Sequence, residues 1–498
     1  MSSPAGLAAV EQVIGASGVA ARIEALLPAG VRPRQLSVRA LLAGICLTQA
    51  DGRPAHLTRV HQALTGLPED DQQRLGVSAQ WKHRPHELTY RQVEYTFALV
   101  TAALAKDQPD GLPSAQLQAC CDDLLEASIP GQHQDASTAL AVDWTGMETF
   151  SRPPPKGTSD CADPEASWGH RKDSRLHRDD ELFYGYYLNA AITMPDEHGP
   201  PVPEYARRIT LSSCRCDPVP ALVPVLTALP AAGIPLGDIL ADSGYSCRVP
   251  AHWAIPLRTA GASLVQDLHP SDRGPHGTHH GAIISNGNLY CPATPRTLLE
   301  LGPLARAATR EDIAAHDSRT AELARYKLGK ITADDADGYH RVMCPAVMGK
   351  IRCPLRPASL ALDRDRPEIL TPPQDPPACC TQQTLTVSPD ILAKTAQKHD
   401  CPSAAHRRSY NRRTGSERGF ATIKDPATND TGRGWCRIMG LAPRLLLTTC
   451  LIITRNQRIT TAWDRRQEDS ARRAAAGLPP RTRRRRRKTL TSLLTAPP

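Results

Sequence analysis

The sequence predicts a mixed α/β protein: a mixed sheet flanked by helices, preceded by an all-helical region and interrupted by a Cys- and Pro-rich insertion with some β structure. Three observations carry the prediction. Between Ser137 and Asp267 the hydrophobic pattern runs strand, strand, strand, helix, strand, helix, strand. Residues 1–135 show helical periodicity and offer no strong strand pattern. From about Ser271 to His406 the chain is irregular, after which helical spacing resumes.

In the first region Leu7, Val10, Val13 and Ile14 recur at helical spacing, as do Val38, Leu41, Leu42 and Ile45. Thr89 is placed to cap a helix carrying Val93, Phe97 and Val100, and Ala115 to Leu125 is a further helix. Thr138 to Trp144 reads as a buried strand, followed by strands over Phe183 to Thr193 and Tyr205 to Ser212. A helix is expected over Ala221 to Leu229, a strand over Asp238 to Ala241, a helix over Pro250 to Thr259 and a strand over Ser263 to Asp267. The irregular stretch holds β-like pieces at Ile283 to Cys291 and Tyr339 to Met343 and a helix near Ala321 to Leu328. Helices follow from Tyr410 and across Trp435 to Ile459. The expected layout is a helical region 1–135, an α/β core 136–270, an insertion 271–405, the second part of the core 406–465, and a basic disordered tail 466–498.

Composition narrows the function. With 498 residues and 40% hydrophobic content, the chain can bury a large core. The net charge is +9, but seven of the eight residues from Arg481 to Lys488 are basic, and removing those seven leaves +2. That run suits a polyanion, or is simply a solvated tail. The strongest apolar run, Leu445 to Ile453, is nine residues long and lies between Arg444 and Arg455. A membrane span needs about 20 apolar residues, so a buried core helix and no membrane are expected. The N-terminus lacks a basic region followed by an apolar core, and fifteen cysteines without an export signal read as reduced thiols or metal ligands. The expected compartment is the cytoplasm.

Chemistry concentrates in three places. Tyr410, Arg413, Glu417 and Lys424 sit at offsets 0, 3, 7 and 14. At about 100° per residue these fall within an arc of roughly 60° on a helix. A carboxylate flanked by cations suits a divalent metal beside a phosphate backbone. Glycines 415 and 419 weaken such a helix. Asp143 lies in an apolar strand, where an Asp is costly to bury unless bound to something. Asp242 ends the Asp238 strand in Ala241-Asp242-Ser-Gly-Tyr245, and strand ends are where α/β sheets build sites. Each carboxylate alone has a plainer reading as turn former, cap or solvated residue. Together, three carboxylates can hold two Mg²⁺ or Mn²⁺ ions for attack on a phosphodiester. Asp267 ends a further strand but has no cation nearby in sequence, so it is left out of the trio.

Tyr410-x2-Arg413-x3-Glu417-x6-Lys424 resembles the Tyr-Arg-Glu-Lys signature of the DDE transposases of bacterial insertion sequences. Ala141-Val-Asp143 and Ala241-Asp242-Ser-Gly-Tyr245 resemble that family's first and second catalytic motifs. The resemblance covers about residues 137–268 and 405–458 and implies a ribonuclease H-like core. It further implies that Asp143, Asp242 and Glu417 are the catalytic, metal-binding triad. Arg413, Lys424 and Tyr410 would grip the DNA at transposon-end phosphates. The activity implied is DNA cleavage at insertion-sequence ends and strand transfer into target DNA. The partners implied are double-stranded DNA (terminal inverted repeats and target) and a second copy of the chain when bound to DNA; the location would be nucleoid-associated. A nuclease that does not join strands, or a non-catalytic DNA-binding protein using the helical region and basic tail, are the alternatives.

The insertion gathers Cys291, Cys344, Cys353, Cys379, Cys380 and Cys401. Four of these could hold a structural Zn²⁺ and staple a segment short of apolar residues. No Cys-x2-Cys pair exists, so unliganded reduced thiols are the competing reading.

Overall fold

The computed structural model of the chain describes residues 4–28, 34–77, 79–81, 84–171, 181–305, 307–425, 428 and 431–481. The N-terminal helices are α1 (Pro4–Ser17), α2 (Val19–Leu26), α3 (Val38–Ala50), α4 (Leu57–Thr65), α5 (Glu69–Leu75), α6 (Tyr90–Leu104), α7 (Ala115–Ala127) and α8 (Gly131–Gln134). Ser37 and Ser114 cap α3 and α7 by accepting from Ala40 N and Leu117 N, and Thr89 with Gln92 forms a capping box on α6. The region is not wholly helical: β1 (Ala79–Trp81) pairs antiparallel with β2 (Arg84–His86).

The central sheet contains β3 (Ala139–Glu148), β4 (Ser167–Arg171), β5 (Glu181–Met194), β6 (Ala206–Ser213), β7 (Asp238–Ala241) and β8 (Ser263–Gln266). Its order is β6-β5-β3-β7-β8, with β4 pairing the first residues of β5. β5 runs antiparallel to β3 and β6, while β3, β7 and β8 are mutually parallel. The mixed sheet is therefore as expected. α9 (Pro218–Thr227), α10 (Ser243–Ser246) and α11 (Ala254–Thr259) accompany the parallel strands.

Alternation along the strands divides the interior. Leu140, Val142, Ile239, Ala241 and Leu264 pack with α9, α11, Tyr245 and Trp253 on one side. Ala139, Ala141, Leu188, Ala190, Leu240 and Val265 face the other way. There they join Leu41, Leu42, Leu124 and Leu445 to Ile453 in one apolar core. The N-terminal helices and the sheet thus share a core.

Between β8 and the next long helical segment lie two three-stranded antiparallel sheets. One contains β9 (Pro275–His279), β10 (Ala282–Ser285) and β11 (Asn288–Tyr290); the other β12 (Gly329–Lys330), β13 (His340–Met343) and β14 (Thr384–Val387). Helices α12 (Arg296–Leu299), α13 (Arg310–Tyr326) and α14 (Ala378–Thr381) complete this insertion. The β10–β11 hairpin turns through Asn286 and Gly287, both at positive φ, as a two-residue hairpin requires. The end of the insertion returns along β8: Lys398 N donates to Leu264 O, and Gln266 N to Gln397 Oε1.

The last helices are α15 (Ala404–Tyr410), α16 (Thr414–Ile423) and α17 (Leu441–Ala475). Two expectations need correction here. The final helix begins at Leu441, not Trp435, which instead lies buried before it and donates from Nε1 to Gln49 Oε1. Residues 466–475, expected in the tail, continue the helix. They are strong helix formers, and nothing stops them until Gly477 takes a left-handed turn at φ 64°. The basic run from residue 482 onward lies outside the described residues. Among the described residues no helix is long and apolar enough to cross a membrane.

Candidate active site

β3 is buried through Val142, and its cover thins from Asp143 to Gly146. Asp143 follows Ala141 by two residues, so its side chain leaves the sheet on the same face, toward the shared core. β3 and β7 pair in parallel with Leu140 opposite Ile239 and Ala141 opposite Leu240. Carried two residues further, that register sets Asp143 opposite Asp242. β7 and β8 pair with Ala241 opposite Gln266, so the next step sets Asp242 opposite Asp267, whose N donates to Ala241 O at 3.3 Å. Three aspartates thus line up on one face across adjacent parallel strands, Asp143 within β3 and Asp242 and Asp267 just past the carboxyl ends of β7 and β8.

The local sequence explains the shape of this row. Asp242 ends its strand by accepting from Gly244 N at 2.9 Å and capping α10. Gly244 lies so close to the Trp144 ring that a Cβ there would overlap it. Trp144 packs edge-on to Tyr245 at 4.8 Å, and the buried Tyr245 hydroxyl donates to Asn189 Oδ1 at 3.3 Å. The Asp-Ser-Gly-Tyr run therefore turns the chain sharply and locks the floor of the site.

α15, a 3₁₀ turn at Asn411–Arg413, and α16 bring the second group of residues. The four residues at offsets 0, 3, 7 and 14 do not ride one unbroken helix. The 3₁₀ turn tightens the chain between Tyr410 and Glu417, and Lys424 follows the last turn of α16. They converge on the aspartates nonetheless. Arg413 Nη1 lies 3.6 Å from Asp143 Oδ2, and Arg413 Nη2 donates to Glu417 Oε1 at 3.0 Å. The Arg413 guanidinium sits 5.8 Å from the Tyr410 ring centroid, and that ring stacks on His406. Lys424 Nζ donates to Thr145 Oγ1 and Gly146 O, just beyond Asp143 on β3.

Two features hold this segment in place. Gly415 and Gly419, expected to weaken the helix, are buried against β5. A Cβ at Gly415 would overlap the Met194 thioether, and one at Gly419 would fall 2.9 Å from Ile192 Cγ1. The glycines let α16 lie flush on the sheet. Arg412 is the anchor: its Nη2 reaches Asp238 Oδ2 at 2.7 Å and its Nη1 donates to Pro195 O at 3.0 Å. The buried Asp238 also accepts twice from Lys398 at 2.9 Å.

Electrostatics follow from the packing. Burial, then the charge of Asp242, pushes the Asp143 carboxyl up to about 7; Arg413 pulls the other way. Burial pushes the Tyr410 hydroxyl up to about 12. Glu417 stays 60% exposed at the mouth. The arrangement is a desolvated Asp143 carboxyl beside Asp242, with the Glu417 carboxylate joined to Asp143 through one guanidinium. As they stand, no three or more His, Cys, Asp or Glu side chains among the described residues are grouped closely enough to hold a metal ion. Arg413 is the cation between Asp143 and Glu417 in this arrangement.

No family model, curated protein or solved structure matches the chain.

The sequence reading left Asp267 aside for want of a nearby cation. In the fold Arg273 lies 2.9 Å from Asp267 Oδ1, six residues away across a turn. The charge of Asp267 also reaches Tyr410. The strand-end position was the signal available in sequence; the register that aligns it with Asp242 was not.

Of the six cysteines singled out in the insertion, Cys291, Cys344, Cys353, Cys379 and Cys380 lie in its two small cores. Cys401 stands apart, where the nearest charges are Asp267, Arg273 and Asp400.

Proposed function

We propose that the chain is a DNA transposase of the three-carboxylate, metal-dependent class, with Asp143, Asp242 and Glu417 as its metal-binding residues. One observation carries this reading. Asp143 and Asp242 emerge in register from adjacent parallel strands on one face, and Arg413 joins Asp143 to Glu417 on the helical segment above. Strand order adds support, since two strand-borne carboxylates beside the centre of a mixed sheet are what a ribonuclease H-like core would supply.

The donor set fits divalent cations. Two carboxylates side by side, one desolvated enough to hold its proton to about pH 7, favour a bound positive charge. Mg²⁺ or Mn²⁺ held there would activate water or a hydroxyl and stabilise the leaving oxygen. The chain's own groups do the rest. Arg413 and Lys424 supply donors for phosphate oxygens on either side of the aspartates, and the Tyr410 hydroxyl, protonated at neutral pH, donates a hydrogen bond or stacks on a base. In the cleavage step the water oxygen forms a new P–O bond as the P–O3′ bond breaks, leaving a 3′-OH on the element's end. In the joining step that 3′-OH forms a P–O bond to target DNA while a target P–O3′ bond breaks.

The test uses full-length protein and duplex DNA carrying the sequences that flank its coding region. Mg²⁺-dependent nicking is expected, lost in Asp242→Asn and in Glu417→Gln while DNA binding persists. Pre-cleaved ends should become joined to a target plasmid. Nicking that survives both substitutions removes this site from the reaction. Nicking without joining would make the protein a nuclease, and binding without either would make it a DNA-binding protein.

A further inference from the structure

Of the six buried cysteines of the insertion, five lie in its two small cores and come from four stretches of chain. Cys291 follows β11, Cys344 follows β13, Cys353 opens a turn closed by Arg356 N donating to Cys353 O at 2.9 Å, and Cys379 and Cys380 belong to α14. All five are less than a tenth exposed. They sit on a seam. Cys291, Cys344 and Cys353 line one small core with Tyr290, Leu323 and Ile351; Cys379 and Cys380 line the other with Leu289, Val342 and Leu385. Leu355 packs against both.

The thiols approach one another across that seam, although as they stand no three of them are grouped closely enough to hold a metal ion. Cys291 and Cys353 lie within electrostatic reach of each other and of both Cys344 and Cys380. The Cys379 and Cys380 sulfurs are 4.0 Å apart. Backbone N–H groups also lie beside sulfur: Ala293 at Cys291 and Leu355 at Cys353. An N–H two residues on, aimed back at its cysteine, serves a thiolate rather than a thiol.

We propose that Cys291, Cys344, Cys353 and Cys380 together bind one structural Zn²⁺ that staples the two small cores of the insertion. Four sulfurs complete a tetrahedral shell and leave no open position for substrate. The sulfurs must draw in to reach Zn–S distances of about 2.3 Å, and the four thiols release their protons as they bind. Cys379 is the neighbour left over, and Cys401 lies outside the set. Two small apolar clusters with short strands are the kind of segment a metal stabilises. The absence of any Cys-x2-Cys pair follows from the geometry, because each ligand comes from a different turn.

The experiment needs no catalysis, so its outcome is independent of the transposase reading. Full-length protein produced with added zinc is dialysed against EDTA and its metal counted; a second sample is exchanged into Co²⁺. About one equivalent of zinc and the intense thiolate-to-cobalt and tetrahedral bands are expected in the wild-type chain and in Cys401→Ser. Both should be lost in Cys353→Ser. If that variant does not fold, the wild-type cobalt spectrum decides alone. A wild-type chain that retains no metal, or whose cobalt shows only the weak bands of oxygen ligands, overturns the proposal. So do thiolate bands that persist in a Cys291→Ser, Cys353→Ser double variant.

Discussion

Gly419→Ala separates two effects that usually travel together. Gly419 lies on the buried side of α16, where a new Cβ would stand 2.9 Å from Ile192 Cγ1 and 3.0 Å from Cδ1. Ile192 is fully buried in β5 and β-branched, so it cannot rotate aside. Helix propensity favours Ala over Gly by about 1 kcal/mol. Crowding a packed interior costs about 1–3 kcal/mol. The net expectation is a loss of roughly 0–2 kcal/mol. Relief comes from lifting α16 a few tenths of an ångström, and Glu417 moves with it. Misplacing a reacting group by about 1 Å costs roughly 100-fold in rate, so a lift of that size should slow metal-dependent nicking by about tenfold. Gly15→Ala is the control. Gly15 lies exposed in α1 with nothing within 4 Å of its built Cβ, so Ala there should add up to about 1 kcal/mol and leave nicking unchanged. Urea unfolding with fitted slopes, beside nicking rates for the three proteins, reads both quantities. If Gly419→Ala gains stability as Gly15→Ala does, and nicks at the wild-type rate, then α16 does not lie flush on β5 and the reasoning fails.

Three further outcomes are expected. Asp238→Asn leaves Arg412 and Lys398 without their shared carboxylate, and breaking such a buried pair should cost about 3 kcal/mol or more by urea unfolding; a loss under about 1 kcal/mol would show that Arg412 is no anchor. Asp267→Asn should keep nicking within about tenfold of wild type, because Arg273 already neutralises that charge, whereas Glu417→Gln should abolish it; the reverse order would move the third carboxylate to Asp267. Against the cost of its burial, hydrogen bonds from His399 and Lys398 hold the Glu197 carboxyl down, from 4.5 to about 2. A depressed carboxylate stabilises the fold above pH 4.5 and loses that contribution as pH falls toward about 2. The stability gap between wild type and Glu197→Gln should therefore be widest near neutrality and close through that window; a gap that holds constant down to pH 2 would contradict the assignment.

Much of the sheet was legible because its strands carry their own pattern. Asp238–Ala241 emerges with the expected bounds, being an apolar Ile-Leu-Ala run behind one Asp, between a glycine and a turn. β4 was missed because Ser-Trp-Gly-His-Arg has no apolar alternation; β5 forms it by offering Glu181 to Gly185 as a template. The carboxylates could be named from strand ends and helix spacing, but what aligns Asp143, Asp242 and Asp267 is register between strands about 100 and 25 residues apart, which no local window contains. The 3₁₀ turn at Asn411–Arg413 was hidden for a similar reason, since it is held by Arg412 reaching Asp238 across the fold. Gly415 and Gly419 looked like weaknesses in a helix. Only the strand beneath them turns that weakness into close contact.

The returning end of the insertion has a consequence for solubility. β8 is the last strand of the central sheet, and a bare rim there would offer free amides and carbonyls to any passing β-segment. Gln397 and Lys398 take up that rim with their own bonds to Gln266 and Leu264. A shortened chain that loops directly from β8 into α15 would lose this shield and should self-associate, even if Asp143, Asp242 and Glu417 kept their places.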